Sequence, residues 1–431
     1  MSDESDSPYN GDEWPNHLDG TEFDGTGVMA LLSAGKSPFV WDVGLLIKET
    51  EEVLNTKVVD IPRVSKGANS YGFLFKLSNR PDVLARLARD DVNVPGFAGW
   101  PFEKQVQECE LEASVYRLLQ YVAEIPVSPL LYHRPPVRRP ACQDILGRRL
   151  FLFEVQKGQD NVWNVLNDDQ AFGLVDQAAA IRGALFNYNP PQEFIQKWLL
   201  DSMFEMRPKL FPLPIAPTRE FVVGFFTSKI EATIRDLGDK MGWGNDDDDD
   251  YTVGPATFAA KQALLRLIPH ILPPDTEPPS LYRFVLEHGD YGIHNMTITV
   301  PTSDDEIPKV TSLFDWETGC VVPAILSDPM MAVGVDFIAG PDAEPVVIGW
   351  TEENLTDDKA EARVDRYVNL SRQYFRRLYA QAPDYERVIQ AGKDARHIWF
   401  AFRDWRDDPE EHFGPLGVWA QKRLVELEVE K

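Results

Sequence analysis

The segment 284–319 constrains this chain more than any other. An apolar run at 284–286 leads into His288-Gly289-Asp290, and Asn295 follows five positions after that aspartate. Residues 296–300 read as a strand, 301–308 as a polar turn, and 310–314 as a returning strand that delivers Asp315, followed by Trp316-Glu317. The pattern predicts a hairpin with carboxylates and an amide at one end. Such a set suits phosphoryl transfer, in which an acceptor hydroxyl is aligned with a γ-phosphate and cations neutralise the developing charge. A loop aspartate can take the hydroxyl's hydrogen bond. An asparagine carbonyl and a second aspartate are hard oxygen ligands suited to Mg²⁺. Taken singly, either half is also what an ordinary turn shows, because Asp and Asn side chains cap hairpin loops. The conjunction carries the signal.

The elements around this segment divide the chain. Residues 1–37 are acidic and rich in Gly, Asp and Ser, and are expected to be a flexible tail. A short helix is expected at 49–55, then two β-rich runs, KVVDIPRVS and SYGFLFKLS, separated by Lys66-Gly67-Ala68-Asn69. A third strand is expected at 82–87, and another at 148–155. Between them 103–122 is helical, with Leu111, Val115, Leu118, Leu119 and Val122 on one stripe. This makes 38–157 a small mixed lobe. From 158 to 431 helices dominate, one of them carrying Ala171, Leu174, Val175, Ala178, Ile181 and Leu185 on its apolar face. Others are expected at 219–241 and 256–271, on the stripe Val364, Tyr367, Val368, Phe375 and Leu378, and around 385–404 and 416–429. Five consecutive aspartates in 244–251 repel one another and read as a solvated loop, with an acidic lip to a substrate site as the alternative.

Protein kinases carry H-R-D-L-x-x-x-N and a later D-F-G for the chemistry described above. Here the Asp-to-Asn spacing is the same, Gly replaces the Arg, and Asp-Trp-Glu replaces Asp-Phe-Gly. That combination resembles the aminoglycoside phosphotransferase and choline kinase-like family of the protein kinase-like superfamily, especially its fungal small-molecule kinase-like branch. The resemblance implies an α+β bilobal fold: a small antiparallel β-sheet lobe with one helix, and a larger, mainly helical lobe. It implies ATP (or GTP) and Mg as cofactors, a small-molecule hydroxyl acceptor, Asp290 as catalytic base, and Asn295 and Asp315 as metal ligands. His288 becomes a structural loop residue, Glu317 a support, and Asp328 a loop stabiliser.

The upstream parts follow in order. The turn containing Ser65, Gly67, Asn69 and Ser70 stands where backbone amides would cover phosphates, although a plain hairpin turn fits these residues equally. Arg86 stands where the family places a cation, usually Lys, on the third strand. Its partner is Glu112, with Glu108 one turn earlier as rival, and two solvated charges as the ordinary alternative. The strand end at Glu154 and Val155 is expected to meet the adenine by its backbone. Trp243, Trp316 and the acidic loop are candidates to hold a cationic or sugar-like acceptor.

A formal charge of -26 disfavours nucleic acid and anionic membranes as partners, since both would repel the chain. Three scattered cysteines fit a reducing compartment. The N-terminus has no basic region followed by an apolar stretch, so a cytoplasmic location is expected. A pseudokinase-like nucleotide-binding or interaction module is the main rival, and the thin glycine loop and Arg86 favour it. A protein kinase is disfavoured because no A-P-E-like segment follows Asp315, and a metal hydrolase because the seven histidines form no H-E-x-x-H pattern.

Overall fold

The computed structural model describes residues 14–16, 21–89, 102–138, 145–199, 214–241, 251–274, 281–303, 306–351, 359–405 and 408–429. The expected acceptor contacts Trp243 and the acidic run lie outside these, apart from Tyr251. The chain forms two compact units. One comprises the described residues up to Tyr121 together with Val127–Gln156, the other Val122–Pro126 together with Lys157 onward.

The first unit is built on helices α1 (Val28–Ser33) and α2 (Val43–Leu54), strands β1 (Val58–Lys66), β2 (Ser70–Leu77) and β3 (Val83–Ala88), helix α3 (Phe102–Leu119), and strands β4 (Leu130–Arg134) and β5 (Leu150–Glu154). The strands form one antiparallel sheet in the order β1-β2-β3-β5-β4. Alternation explains β2: Tyr71, Phe73, Phe75 and Leu77 are buried on one face, as period-two patterning requires. Edge strand β1 shifts register between Asp60 and Arg63, where Pro62 cannot donate to a ladder. On α3, Leu111, Val115 and Leu119 are buried as the stripe predicts, whereas Val122 lies beyond the helix.

The expected tail is corrected in part. Trp14, Phe23 and Val28 join the aromatic core over the sheet with Phe39, Trp41, Tyr71 and Phe73. The Trp14 indole donates to the Phe23 carbonyl at 2.9 Å, and Val64 N–H donates to Gly25 O at 2.7 Å. Acidic composition hid this, because a few large rings suffice to anchor a polar segment.

The second unit carries helices α4 (Asp168–Asn187), α5 (Gln192–Trp198), α6 (Arg219–Thr233) and α7 (Pro255–Ile271) before the predicted hairpin, and α8 (Ala360–Gln381), α9 (Pro383–Ala391), α10 (Lys393–Asp404) and α11 (Pro409–Glu426) after it. Helix α4 starts on a capping box made by Asn167 and Gln170, and every member of its predicted stripe is buried. Helix α6 stops short of the expected Met241: Gly238 at φ 91° and the bridge Lys240↔Thr252 turn the chain away. Among the described residues, no helix is long and apolar enough to cross a membrane.

Two ribbons stand between the two groups of helices. Strand β6 (Phe284–Glu287) pairs with β9 (Cys320–Pro323), and β7 (Met296–Thr299) pairs with β8 (Lys309–Leu313). A third, unpredicted ribbon follows: β10 (Met331–Ala332), β11 (Asp336–Ala339) and β12 (Pro345–Ile348). The fold is thus α+β: an antiparallel-sheet unit with few helices, then a larger, mainly helical unit containing the small ribbons.

Candidate active site

The geometry begins with chain order. Strand β6 ends at Glu287, the chain loops through 288–295, and β7 starts at Met296, opposite Leu313 of β8. Asp315 then follows, and a single 3-10 turn at Trp316–Thr318 leads into β9, whose Cys320 pairs with Glu287. Both loops therefore emerge from the same strand ends. Phe314 N–H donates to Asn295 O at 3.0 Å, His288 Nε2 to Phe314 O at 2.8 Å, and Thr318 Oγ1 to His288 O at 3.2 Å.

These bonds explain the residue types. Gly289 sits at φ 86°, and a Cβ there would lie 2.0 Å from Thr318 O, so only glycine lets the loops close. Asp315 adopts a left-handed backbone at φ 65°, which Asp tolerates better than most side chains. His288 is 1% exposed, and burial pushes its imidazole pKa down to about 4. It is neutral, with its proton on Nε2, because the Phe314 carbonyl can only accept. The expected structural role of His288 fits these contacts.

Asp290 is half exposed and carries the densest hydrogen bonding. Its Oδ2 accepts from His294 Nε2 at 3.1 Å and from Asn295 Nδ2 at 3.0 Å. The His294 bond, more than any other influence, holds the Asp290 carboxyl below the usual carboxylate range, and the same bond raises His294. Asn295 Nδ2 also donates to Asp290 O at 2.9 Å. With its NH₂ end fixed by two acceptors, the side chain turns its carbonyl oxygen Oδ1 the other way, the end that could face a cation. Asp315 is close enough to His294 for its charge to raise that pKa. Among the described residues no group of three or more His, Cys, Asp or Glu could hold a metal. An amide oxygen, one carboxylate and ligand oxygens would have to supply the coordination.

Beneath the loop, buried Arg182 of α4 pairs with Glu287 and also reaches Ser327 Oγ, Tyr385 Oη and the Asp328 carbonyl. Burial opposes the guanidinium charge, but Glu287 together with Tyr385, Tyr374 and Asp328 more than offsets this and keeps it ionised. Asp328 has the expected stabilising role: Oδ1 accepts from Met330 N–H at 3.2 Å and Oδ2 pairs with Arg403 at 2.9 Å. On the other side Asp336 of β11 has its pKa raised by burial, then by the charges of Asp290 and Asp328. Ribbon β10–β12 is tied to the loop by Ala332 N–H to Tyr291 O at 3.0 Å.

In the first unit Arg86 pairs with the expected Glu112 at 3.0 Å, and Glu112 is fully buried. The β1–β2 connection is a tight turn. Gly67 N–H donates to Ser70 O at 2.9 Å, and the Arg89 guanidinium caps the carbonyls of Gly67 and Ala68. Glu154 N–H donates to Pro129 O and Val155 N–H to Asp82 O, both at 3.0 Å. The amides of Gly67, Glu154 and Val155, expected to serve a nucleotide, are therefore used inside the unit. The turn and strand end have only carbonyls, side chains and other amides to offer. Ser65 Oγ donates weakly to Gly72 O at 3.4 Å, and Asn69 O accepts from Arg89 N–H.

One expectation is overturned. Trp316 is fully buried, with its ring 4.5 Å from that of His288, so it packs the loop and cannot stack on an acceptor. Four residues escaped the sequence reading. His294 was visible inside the Asp-to-Asn spacing, and Arg182 as a lone guanidinium in an apolar helix face. Glu287 was visible as a charge ending a buried strand. Asp336 gave no signal, because a ribbon distant in sequence delivers it.

No family model and no curated protein matches the chain. Solved structures resemble it loosely. An aminoglycoside phosphotransferase, APH(2'')-Ib, ADP-bound, is 12% identical over 87% of this chain and 97% of its own, at a TM-score of 0.41. A macrolide 2'-phosphotransferase from Brachybacterium faecium is 12% identical over 87% and 96%, at 0.38. A choline kinase from Cryptosporidium parvum is 11% identical over 90% and 98%, at 0.36. A fungal branch has no support among them. Likenesses this loose add no weight of their own, so the fold class stands on the strand order and the two joined loops.

Proposed function

We propose that this protein is a phosphotransferase moving the γ-phosphate of ATP or GTP to a hydroxyl of a small molecule. The observation that carries the reading is the junction of loops 288–295 and 314–319, which gathers Asp290, Asn295 and Asp315 at one end of the ribbons. Asp290 accepts the hydrogen bond of the incoming hydroxyl and aligns it. As the hydroxyl oxygen bonds to the γ-phosphorus, the bond from phosphorus to the bridging oxygen breaks. The electron pair leaves with the nucleoside diphosphate, and the hydroxyl proton passes toward Asp290. His294 and Asn295 fix the Asp290 rotamer and keep it ionised, as an acceptor requires. Asn295 Oδ1 and the Asp315 carboxylate would hold Mg²⁺, which when bound neutralises charge on the phosphates. In the first unit Arg86, fixed by Glu112, is assigned to phosphate on motif order, as are Ser65, Gly67, Asn69 and Ser70. Glu154 and Val155 are assigned to the base through groups other than their amides. The cytoplasm remains the proposed location.

The test is nucleoside diphosphate release by the full-length protein across a panel of hydroxylated small molecules. Asp290→Asn should lower kcat by about 10²–10⁴-fold while leaving nucleotide affinity intact. Undiminished turnover in that variant would remove Asp290 from the chemistry. Asp315→Asn should weaken Mg²⁺-dependent nucleotide binding by at least about tenfold. Unchanged affinity in a magnesium titration would count against the metal assignment.

A second reading, a nucleotide-binding or interaction module without turnover, is favoured by one observation: the internally bonded amides of Gly67, Glu154 and Val155. Nucleotide binding without diphosphate release on any acceptor would decide for it.

A further inference from the structure

Within the second unit the third ribbon continues the loop that carries Asp290, as one strand continues another in a sheet. Gly292 bridges Ala332 of β10, and Ala332 N–H donates to Tyr291 O at 3.0 Å. Ala332 in turn stands opposite Asp336 of β11, and Asp336 opposite Ile348 of β12. Residues paired across neighbouring strands share a face. Gly292, Ala332, Asp336 and Ile348 therefore run across one face, in that order from the loop outward.

This face is polar at both ends and small between them. A Cβ on Gly292 would run into the His294 ring and lie 3.0 Å from the Ala332 methyl, so the imidazole lies along Gly292 on the side that Ala332 presents. His294 Nε2 is bonded to Asp290 Oδ2 at 3.1 Å, which brings that carboxylate to the near end. Asp336 stands at the far end, with Ile348, 44% exposed, beyond it. Of the paired residues only Ala332, half-buried, lies between the imidazole and Asp336. Strands stand about 4.8 Å apart, so two steps from Gly292 to Asp336 span about 10 Å of backbone, the scale of a hydroxylated six-membered ring.

The two carboxylates are open in complementary ways. Asp290, half exposed, has Oδ2 taken by His294 and Asn295, which leaves Oδ1 for a reacting hydroxyl. The Asp336 carboxylate, half-buried, has no hydrogen-bond or ion-pair partner among the described residues. Gly349 presents no side chain over it; a Cβ there would come within 3.8 Å of Asp336 Oδ2. The charge of Asp290 is felt at Asp336, and that of Asp336 at His294. A carboxylate that has lost part of its hydration and gained no donor favours a guest that supplies one.

Resting on the phosphotransferase reading, we infer that Asp336 is a specificity-determining residue of the acceptor site, accepting a hydrogen bond from a second donor on the acceptor while the reacting hydroxyl lies on Asp290. The acceptor is a diol, a polyol or an amino alcohol, and a compound with one hydroxyl and no other donor is a poor substitute.

The probes are cyclohexanol, the 1,2-, 1,3- and 1,4-cyclohexanediols and 4-aminocyclohexanol. Each is supplied to the full-length protein with nucleoside triphosphate and Mg²⁺, and diphosphate release gives its kcat/KM. At least one two-donor probe should exceed cyclohexanol by about tenfold or more. Asp336→Ala should bring that ratio to within about twofold of unity. General damage to the site slows all acceptors alike and leaves the ratio where it was. Asp336→Asn separates the two kinds of donor: it keeps an oxygen acceptor, so a diol loses less than the amino alcohol, whose ammonium also loses its counter-charge. A ratio near unity in the unmodified protein, an Asp336→Ala variant with the ratio unchanged, or an amino alcohol spared by Asp336→Asn each overturns the inference. Release on cyclohexanol or other single-donor alcohols, without release on the two-donor probes, keeps the phosphotransferase reading and removes the inference. Release on no hydroxylated compound of any kind defeats the reading itself.

Discussion

Gly289 shows how one residue type can be dictated by a neighbour in space. An arginine at this position, the protein kinase choice, would drive a Cβ into Thr318 O, which lies 2.0 Å from where that atom would sit. The room is used instead for the Thr318 hydroxyl to reach the His288 carbonyl. His288 in turn ties the two loops together through its Nε2–H, and burial disfavours its charged form. Its pKa is pushed by burial from 6.5 to about 4, so between those values the unfolded chain binds a proton that the folded loop refuses. Stability therefore falls as pH drops through this window, by about 1.4 kcal/mol per pH unit from this residue, and levels off below it. In urea unfolding of metal-free protein from pH 7 to pH 4, His288→Gln should give a flatter profile by about that slope. Parallel profiles for variant and parent would show that His288 does not titrate between the two states.

Elements were legible where burial follows a simple period. Tyr71, Phe73, Phe75 and Leu77 alternate along β2, and Ala171 to Leu185 repeat along α4, so local pattern and tertiary burial agree. Legibility failed where structure depends on partners distant in sequence. Strand β10 has two residues and β11 and β12 four each, too short for any period to show, yet they bring Asp336 toward Asp290. The hairpin and loop that carry the three oxygen-bearing residues of the proposed site were readable because their spacing is local. The underside of that site was not, because Arg182 reaches Glu287 from another helix. That buried pair joins α4 to the end of β6, one residue before His288. Arg182→Met should cost about 3–5 kcal/mol by leaving Glu287 buried and unpaired, and Arg182→Met with Glu287→Leu should recover most of it. If the pair positions the catalytic loop, the double variant stays folded but loses kcat with little change in nucleotide KM. Recovery of both stability and kcat would reduce the pair to packing.

At the scale of the whole molecule, 69 acidic residues face 43 basic ones, and the excess acts over distances no single contact reaches. Self-repulsion favours the expanded chain and is screened as the Debye length shrinks from about 30 Å at 0.01 M salt to about 8 Å at 0.15 M. Salt also weakens exposed ion pairs such as Lys48–Glu52 and Lys422–Glu426, but these contribute at most about 1 kcal/mol each. Buried pairs such as Arg182–Glu287 and Arg86–Glu112 are shielded far less. Repulsion should therefore dominate, and Tm should rise by about 2–4 °C between those two sodium chloride concentrations. Sucrose at matched osmolality separates screening from general exclusion, since it leaves the Debye length unchanged. A Tm that falls with salt would mean that exposed pairs outweigh repulsion. The same field bears on acceptor choice: at low salt an anionic molecule concentrates any cation near its surface, whatever its acceptor site prefers. Apparent affinity for amines should then decline steeply with salt while that for a neutral alcohol holds, and a calorimetric salt series reads the two apart.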